Sequence, residues 1–477
     1  MMSARIGYRF WYHHRNHQYL QVLRHNSFFK RVKNEMEAKN PFAPFDVGIT
    51  ENRPPDEVDI VVVGGGVIGS SVAYFLKTLV STGMRVLVVD KDPTYTRSSS
   101  LLSLGGIHQQ FSIPENIQMS LYSAHFLRNI KEKLMVDGID PPDIHFNPQG
   151  HLFLATEEGA ETLIDNCSIQ SKFGAKSVLM SQTQLKKKFP WLNTDGIELG
   201  RYGIENEGWF DPGRLLQAFK RKAISMGVYY VHGEVTGFKV KHQAIAKEES
   251  YVPDYDTRIE RVEITMPNSP EVITVPCAIV VNAAGPEAAD LARLLYIGSG
   301  EGEMAVPLPV EPRKRFAFVI NSLNGPGLEC PVLVDPSGMC FRRDGLGGNF
   351  ICSMEPGEEE EPSTGTLNVD YDWFNRKVLP SLTHRVPALK NAKMHHAWAT
   401  FIDYNTVDQN PIVSRHPVIP NFFFANGLSG NALQHAPAIG RAMSELLVEG
   451  AFVNIDLAVF DFYRFVVEKQ ILERKVV

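Results

Sequence analysis

The chain has 477 residues, enough for two or more domains, and its 44% hydrophobic and 21% charged residues are ordinary for a globular protein. The net charge of −6 gives no reason to expect nucleic acid as a partner, and the five scattered cysteines form neither a C-x-x-C pair nor a metal-ligand spacing with histidine. No metal is therefore expected, and because no run of about 18 apolar residues occurs, no membrane-spanning helix is predicted.

Residues 1–34 differ in composition from the rest of the chain. They contain seven Arg or Lys residues, interleaved with aromatic and aliphatic ones, and no acidic residue. A basic, acid-free amphipathic leader is typical of a mitochondrial presequence, so the sequence predicts a transit peptide. A basic arm that contacts nucleic acid or a membrane surface is the alternative. Residues 35–55, rich in Asn, Pro and Glu, are predicted to be a linker.

A buried strand, a glycine-rich turn and the start of a helix are predicted over Asp59–Leu76. Gly64, Gly66 and Gly69 match G-x-G-x-x-G, in which glycine allows a tight turn, close approach to a pyrophosphate and close packing of helix on strand. The next strand, Arg85–Asp90, places an acidic residue about 20 residues further on, where a ribose hydroxyl needs an acceptor. A glycine-rich turn in some other α/β protein is the alternative, but the complete context favours a dinucleotide site.

Further elements follow in chain order. The patterns predict a capped helix over 210–220, strands over 227–232 and 234–240, strands ending in small-residue turns over 279–286 and 421–430, and a helix over 437–447. Three strand-into-glycine turns indicate one cofactor held by distant segments. Strand-like runs such as Gly150–Ala155 and Arg315–Ile320 lie between them. The segments 246–256 and Glu358–Glu361 are predicted to be solvated loops.

These patterns predict an α/β (or α+β) fold with two interleaved domains. A Rossmann-like dinucleotide-binding domain is expected from residues 56–140, 205–300 and 395–477, and a mixed-sheet, substrate-like domain from residues 140–205 and 300–395. Because the two kinds of segment alternate along the chain, each domain is expected to be discontinuous.

The ordered motifs together resemble the FAD-dependent D-amino-acid oxidase superfamily, in the branch that includes sarcosine oxidase and the sarcosine and dimethylglycine dehydrogenases. The resemblance covers residues 57–450 and implies an FAD-binding oxidoreductase fold. The run Ser103–Gln118, together with the basic leader, resembles mitochondrial members of this branch that are associated with assembly of respiratory complex I. That resemblance implies complex I subunits or assembly intermediates as partners, and a peripheral position on the matrix side of the mitochondrial inner membrane.

The resemblance also implies which residues contact FAD. The fingerprint glycines would hold the pyrophosphate, Asp90 the adenosine ribose, and Val235 would cover the adenine. The turn Gly427–Gly430 would meet the isoalloxazine ring and the ribityl chain. The full set implied for the cofactor is Gly64, Gly66, Val67, Ile68, Gly69, Asp90, Lys91, Ser99, Ser100, Val235, Gly285, Gly427, Ser429, Gly430 and Asn431.

Two positions at which relatives attach the flavin covalently are changed. The dimethylglycine and sarcosine dehydrogenases use a histidine shortly after the second strand, and this chain has Leu102 at that place. The monomeric sarcosine oxidases use a cysteine, and this chain has Phe401 at that place. Neither side chain can form the bond, so the resemblance implies noncovalent FAD. His108 lies near the first place but is expected to face the active site or solvent.

The residues that clamp a substrate carboxylate in amine oxidases of the family are changed as well. This chain has His108 where an arginine commonly follows the Gly-Gly-Ile turn, and Gln434 where sarcosine oxidase has a lysine. Charge-assisted bonds of that kind align the substrate with the flavin, so their loss argues against sarcosine-like turnover. The candidates for catalysis, for polarising the flavin or for binding an anion, each weighed against an ordinary packing role, are His108, Gln434, His435, Arg313, Lys314 and Arg315.

Two functions from different classes are compatible with these features. The first is a flavoprotein factor for complex I assembly, in which FAD mainly stabilises the fold or controls it through its redox state. The alternative is a matrix FAD-dependent dehydrogenase that acts on the CH–NH group of a small amine or amino acid such as sarcosine or dimethylglycine. An NAD-dependent dehydrogenase would also use the fingerprint, but Gly427–Gly430 matches the flavin-facing element of the superfamily. The altered clamps favour the first function.

Overall fold

The computed structural model describes residues 53–245, 254–267 and 269–476. The predicted presequence and nearly all of the predicted linker lie outside these residues, so those two predictions are untested. Within the three described ranges, no helix is both long and apolar enough to cross a lipid bilayer.

The described ranges contain strands and helices that alternate along most of the chain. The strands are β1 Ile60–Val63, β2 Val86–Asp90, β3 Gly106–Ile107, β4 His151–Ala155, β5 Ser177–Ser181, β6 Leu199–Gly203, β7 Gly208–Trp209, β8 Tyr229–His232, β9 Glu234–Ile245, β10 Asp254–Thr265, β11 Val272–Pro276, β12 Ile279–Asn282, β13 Val310–Asn321, β14 Val332–Val334, β15 Met339–Asp344, β16 Asn349–Met354, β17 Lys393–Asn405, β18 Ile412–Arg415 and β19 Phe422–Asn426. The α-helices are α1 Val67–Leu79, α2 Ser99–Leu102, α3 Pro114–Arg128, α4 Ile130–Lys133, α5 Glu157–Lys172, α6 Gln182–Lys188, α7 Pro212–Ser225, α8 Ala288–Arg293, α9 Tyr371–Trp373, α10 Leu379–Arg385, α11 Ala432–Glu449 and α12 Tyr463–Val466.

The first large sheet has the fingerprint strand near its centre. Its order is β18-β19-β12-β1-β2-β8, and all neighbours are parallel except β18, which runs antiparallel to β19 at the edge. β1 is a run of β-branched residues that are all buried, as expected of a parallel strand covered on both faces. Because β2 and β12 lie on opposite sides of β1, the chain order reverses there, and open sheets of this kind bind ligands at such a point.

Both faces of this sheet are covered. Helices α1, α3, α7 and α11 pack on one face, and α8 with the three-stranded sheet β9–β11 packs on the other. A Cβ at Gly440 would overlap Ser71, so glycine allows α11 to approach α1 closely. Asp211 caps α7 by accepting a 3.1 Å hydrogen bond from the Arg214 N–H, which confirms the capped helix expected at this place.

The second large sheet is mixed, with the order β17-β13-β16-β15-β14-β4-β6-β5. Its neighbours are antiparallel except β14 and β4, which are parallel. Its strands come from residues 151–203 and 310–405, so β17 continues in this sheet beyond the domain boundary expected at 395. The two sheets confirm the predicted fold class, in which a Rossmann-like sheet is interleaved with a mixed one.

Two predicted elements differ from the structure. The helix expected over 437–447 is α11, which begins at Ala432 and contains Pro437 in its interior. Proline removes one helical hydrogen bond, but the buried contact of α11 with α1 maintains the helix through that position. The prediction of a loop over 246–256 is wrong for its last residues, because β10 begins at Asp254 and pairs with β9. Residues 246–253 lie outside the described ranges.

Candidate functional site

The turn after β1 brings the fingerprint glycines close to neighbouring backbone. Gly64 has a φ of +99°, a conformation that favours glycine, and a Cβ there would overlap the Ala283 carbonyl group. A Cβ at Gly69 would overlap the carbonyl oxygen of Gly64, so glycine is needed for α1 to pack this closely. The turn therefore leaves the N-terminus of α1 open to an anionic ligand.

A cavity of about 470 Å³ lies along this turn. Ser100 borders it, and its Oγ accepts a 3.0 Å hydrogen bond from the N–H of Val67, in the first turn of α1. The structure brings together here the residues implied for the nucleotide half of the cofactor, namely Gly64, Gly66, Val67, Ile68, Asp90, Lys91, Ser99, Ser100, Val235 and Gly285.

Asp90 ends β2 with its carboxylate held by backbone groups. Its two oxygens accept hydrogen bonds from the N–H groups of Gly65 at 2.6 Å and Asp92 at 2.8 Å. Burial raises the pKa of Asp90 to about 6. Asp90 thus lies in the cavity wall, and its carboxyl group loses its proton just below neutral pH. It is the group expected to accept a hydrogen bond from the ribose.

A buried lysine behind Asp90 was missed by the sequence interpretation. Lys220 in α7 is 2% exposed, and its ammonium lies 5.2 Å from the ring centre of Tyr95 and 4.9 Å from that of Tyr230. Burial lowers the pKa of Lys220 to about 8, and the charge of Asp90 acts in the opposite direction. No motif marks this contact, because Lys220 resembles any basic residue of an amphipathic helix.

A second cavity, of about 710 Å³, lies between the eight-stranded sheet and the turn that follows β19. The two cavities share Ser99, Ser100, Asp403 and Ala432 in their walls, so one elongated ligand can extend from one into the other. A dinucleotide has this two-part form. The glycine turn, the Asp90 carboxylate and the adjoining second cavity therefore fit FAD.

The turn after β19 supplies part of the second wall. Ser429, Gly430 and Asn431 line the cavity, whereas Gly427 packs behind it, where a Cβ would lie 3.2 Å from the Cβ of Asn405. Gly427 therefore shapes the turn instead of contacting the ligand space.

A carboxylate on β17 holds this turn in place. Asp403 accepts a 3.0 Å hydrogen bond from the Leu428 N–H, and the Ser429 N–H donates to the Asp403 carbonyl at 2.8 Å. Burial raises the pKa of Asp403 to about 6. The sequence interpretation missed Asp403, because the contact joins two strands that are separated in the chain.

Three histidines and two phenylalanines form an aromatic cluster in or beside the second cavity: His108, Phe111, His151, Phe153 and His435. Burial lowers the pKa of His108 and of His435 to about 3 in each case, and the pKa of His151 well below its ordinary value. Neither ring nitrogen of His435 has a hydrogen-bond partner among the described residues. The cluster thus offers neutral imidazoles to a ligand, and His151 is a member that the sequence did not indicate.

The two positions at which the resemblance implies substrate clamps contact each other. The backbone N–H of His108 donates a 3.0 Å hydrogen bond to Gln434 Oε1, and the side-chain nitrogens Gln434 Nε2 and His108 Nε2 are 3.4 Å apart. Gln434 Nε2 also donates to Asn431 Oδ1 at 2.8 Å. Since His108 is neutral, this pair carries no positive charge to hold a carboxylate.

The eight-stranded sheet contributes two arginines to the second cavity, and both are engaged. Arg315 donates 2.9 Å hydrogen bonds to both carboxylate oxygens of Glu361, and Arg342 pairs with Asp344 at 3.1 Å. The prediction that the acidic run is solvated is therefore wrong for Glu361, whose side chain is only 16% exposed in this ion pair. The charges of both guanidinium groups are already balanced by the protein.

Lys314 is not placed for catalysis. Successive residues of β13 point to opposite faces of the sheet, so Lys314 faces away from the side of Arg315. Its ammonium donates a 2.9 Å hydrogen bond to the Thr366 carbonyl. Arg313 points to the same side as Arg315 and pairs with Glu311 at 2.6 Å and with Glu361 at 3.4 Å.

The two changed attachment positions face the cavities. Leu102 lines the second cavity and Phe401 lines the first, and both are about nine-tenths buried, at 8% exposure. Neither side chain offers an atom that could bond to a flavin.

Residues 472–476 form a further wall that the sequence did not indicate. Leu472–Val476 line the second cavity, and Glu473 accepts hydrogen bonds from the N–H of Ile113 at 3.2 Å and the side-chain amide of Asn116 at 2.7 Å. A carboxylate at the start of α3 interacts favourably with the helix dipole. The contact joins distant parts of the chain, so no local pattern predicts it.

Comparison with known proteins agrees with this geometry. A family model described as FAD dependent oxidoreductase matches residues 59–446. A relative from Xenopus laevis, FAD-dependent oxidoreductase domain-containing protein 1, is 52% identical over 446 residues, which is 92% of this chain and 87% of the relative.

Solved structures show the same fold. L-proline dehydrogenase from P. horikoshii matches with a TM-score of 0.73 at 25% identity, covering 88% of this chain and all of the other. The FAD-bound L-α-glycerophosphate oxidase from Mycoplasma pneumoniae matches with a TM-score of 0.63 at 19% identity, covering 82% of this chain and 95% of the other. The chain therefore belongs to the FAD dependent oxidoreductase family, and FAD is its cofactor.

Proposed function

We propose that this protein is a mitochondrial flavoprotein that acts in the assembly of respiratory complex I, on the matrix side of the inner membrane. The observation that carries the proposal is the contact of Gln434 with both the backbone N–H and the imidazole ring of His108. It places a neutral pair where amine oxidases of the family hold the substrate carboxylate with cations.

The two arginines that the eight-stranded sheet contributes to the second cavity support the same interpretation. Arg315 and Arg342 are balanced by Glu361 and Asp344, so neither guanidinium is free to replace the altered clamp. Bound FAD stabilises the folded state by mass action whether or not it turns over. The cofactor then maintains the surface that complex I subunits or assembly intermediates bind.

The cellular location is inferred from the leader and the resemblance. Residues 1–34 have the basic, acid-free composition of a presequence, and the run Ser103–Gln118 resembles the mitochondrial assembly branch. Nucleic acid is not expected as a partner, since the net charge is −6.

Complementation of cells that lack the protein tests the proposal. The wild-type chain is expected to restore assembled complex I, measured on native gels. Gly66→Asp is expected to lose both FAD and complementation, because its Cβ would lie 2.9 Å from Ser100 Oγ and its carboxylate would oppose the phosphates. Gln434→Ala is expected to complement, because the proposed role requires no turnover. Failure of the wild-type chain, or failure of Gln434→Ala with its flavin still bound, would contradict the proposal.

The size of the second cavity favours one other function. A space of about 710 Å³ beside neutral imidazoles can hold a small amine or amino acid, and FAD would accept a hydride from its CH–NH group. The structural likeness to an L-proline dehydrogenase is compatible with this class of reaction. Accumulation of an N-methylated amino acid in cells that lack the protein, with complex I intact, would favour this second function.

A further inference from the structure

Three exposed leucines lie on two adjoining loops of the eight-stranded sheet. Leu323 and Leu328, in the loop after β13, are 90% and 55% exposed, and Leu346, in the β15–β16 turn, is 82% exposed. The two loops adjoin, since the Ser322 N–H donates a 2.9 Å hydrogen bond to the Gly348 carbonyl. We call these three leucines the leucine edge. Single exposed leucines are common, so it is the occurrence of three on adjoining loops that calls for an explanation.

Arg343 fixes the two loops to each other. Its guanidinium donates to the carbonyl oxygens of Pro326 at 2.7 Å, of Gly345 at 3.1 Å and of Leu346 at 2.9 Å. The Asn321 side-chain amide adds a 3.1 Å bond to the Gly347 carbonyl. The leucine edge is therefore held in a defined arrangement before any partner binds, so binding orders few additional groups.

Basic side chains border the leucine edge. Lys393 is exposed and pairs in register with Asn321, at the end of β13. Lys390 is also exposed and follows Leu389, whose side chain packs under the first loop at Gly325. Two carboxylates lie nearby: Asp344 is paired with Arg342, and Glu329 is exposed directly after Leu328. Among these described side chains, the border therefore carries more unpaired positive charges than negative ones.

The leucine edge is remote from the second cavity. β17 begins beside the edge at Lys393 and reaches the cavities at Phe401–Asp403. At a rise of about 3.3 Å per residue, this separation is roughly 26–33 Å along the strand. A partner bound at the edge would leave the cavity mouth unobstructed.

We propose that the leucine edge docks this protein on a membrane surface that contains anionic phospholipid. Nearly fully exposed leucines on the tips of two loops suit insertion between lipid headgroups, where the apolar tips leave water and the bordering lysines meet phosphates. A protein partner would more commonly be met by a flat apolar surface with aromatic anchors, and the edge has neither. The inference deepens the location given under the proposed function and rests on it.

Vesicle flotation of the purified FAD-bound protein tests the proposal. The vesicles are phosphatidylcholine alone, or phosphatidylcholine with about one-quarter cardiolipin as the anionic lipid. The protein is expected to float with the anionic vesicles, and Leu323→Ser/Leu346→Ser is expected to lower its partition by about tenfold or more. Lys390→Glu/Lys393→Glu is expected to lower partition into anionic vesicles only. Val453→Ser is the matched control, since Val453 is 67% exposed elsewhere on the surface, and it is expected to behave as wild type.

The visible flavin spectrum of each variant reports whether the fold is intact. The proposal would be overturned if the wild-type protein stayed unbound in both lipid mixtures, or if the leucine variant floated as well as the wild type. Loss of complex I complementation by the leucine variant, with vesicle partition unchanged, would assign the edge to a protein partner instead. Absence of vesicle binding with full complementation by the wild type would overturn this inference alone and leave the assembly role standing.

Discussion

The two halves of the cofactor site are built in different ways. The nucleotide half consists mainly of backbone, in which Gly64 and Gly69 permit contacts that a Cβ would prevent. The flavin-side half consists of side chains from distant strands, with neutral histidines and arginines already balanced by carboxylates. Backbone sites leave a local trace in the sequence because glycine is required at fixed spacings. Sites built from side chains leave no such local trace. Activity can therefore be lost in the flavin-side half while the fold persists.

The largest expected effect comes from the buried ion pair beside the flavin-side half. Arg201 and Glu207 are both fully buried, 2.5 Å apart, and Glu207 also accepts a 3.1 Å hydrogen bond from the N–H of Gln109, next to His108. Arg201→Met leaves an unpaired buried carboxylate, so we expect a loss of about 3–5 kcal/mol in the free energy of unfolding. Denaturant titration measures it. Arg201→Met/Glu207→Leu should recover much of the loss, and equal destabilisation of both variants would show that the ion pair is not the cause.

The nucleotide half is tested by Gly69→Ala. The added methyl group would overlap the Gly64 carbonyl oxygen, so α1 must move away from the fingerprint turn. Overpacking of this kind costs about 1–3 kcal/mol, and we expect FAD affinity to fall by about 100-fold. Fluorescence titration of the apoprotein with FAD measures the affinity. Gly357→Ala is the control, because a Cβ added at Gly357 would have nothing within 4 Å, and this variant should bind FAD as the wild type does.

The neutral histidines predict how stability changes with pH. Burial lowers the pKa of His435 to about 3 in the folded chain, so between about pH 6.5 and pH 3 the unfolded chain binds a proton that the folded chain does not. His435 therefore reduces stability as pH falls below 6.5, by about 1.4 kcal/mol per pH unit. We expect His435→Gln to flatten this part of the pH profile of unfolding. An unchanged slope would mean that His435 is protonated in the folded chain.

Asp90 predicts a smaller effect, on FAD binding. Burial raises its pKa to about 6, and a ribose hydroxyl donates more strongly to the ionised carboxylate than to the neutral acid. FAD affinity is therefore expected to fall as pH drops through 6, by up to about tenfold per pH unit, or about 1.4 kcal/mol. Binding isotherms between pH 5 and pH 8 measure this effect. The same series with Asp90→Asn should be flat, and a persistent fall in affinity would place the titrating group elsewhere.

The fold and the nucleotide half of the site could be predicted from the sequence more completely than the flavin-side half. β1, its glycine turn and Asp90 are predictable because strand burial and glycine conformation are local constraints. His151, Asp403 and Glu473 are not predictable in this way, because each acts through a contact with a residue far away in the chain. Glu361 was misjudged for the same reason, since its partner Arg315 lies on another element. A charged run does not show whether it faces solvent or an oppositely charged strand.

The central claim is that His108 and Gln434 carry no positive charge at the two positions where the resemblance implies a clamp for a substrate carboxylate. The most direct test is an anaerobic titration of the purified FAD-bound protein with sarcosine, dimethylglycine, proline and glycine, followed through the visible flavin spectrum. Dithionite provides the control for a reducible flavin. We expect dithionite to bleach the oxidised band and none of the four compounds to do so. Bleaching by any one of them would contradict the claim and would identify the protein as a working dehydrogenase.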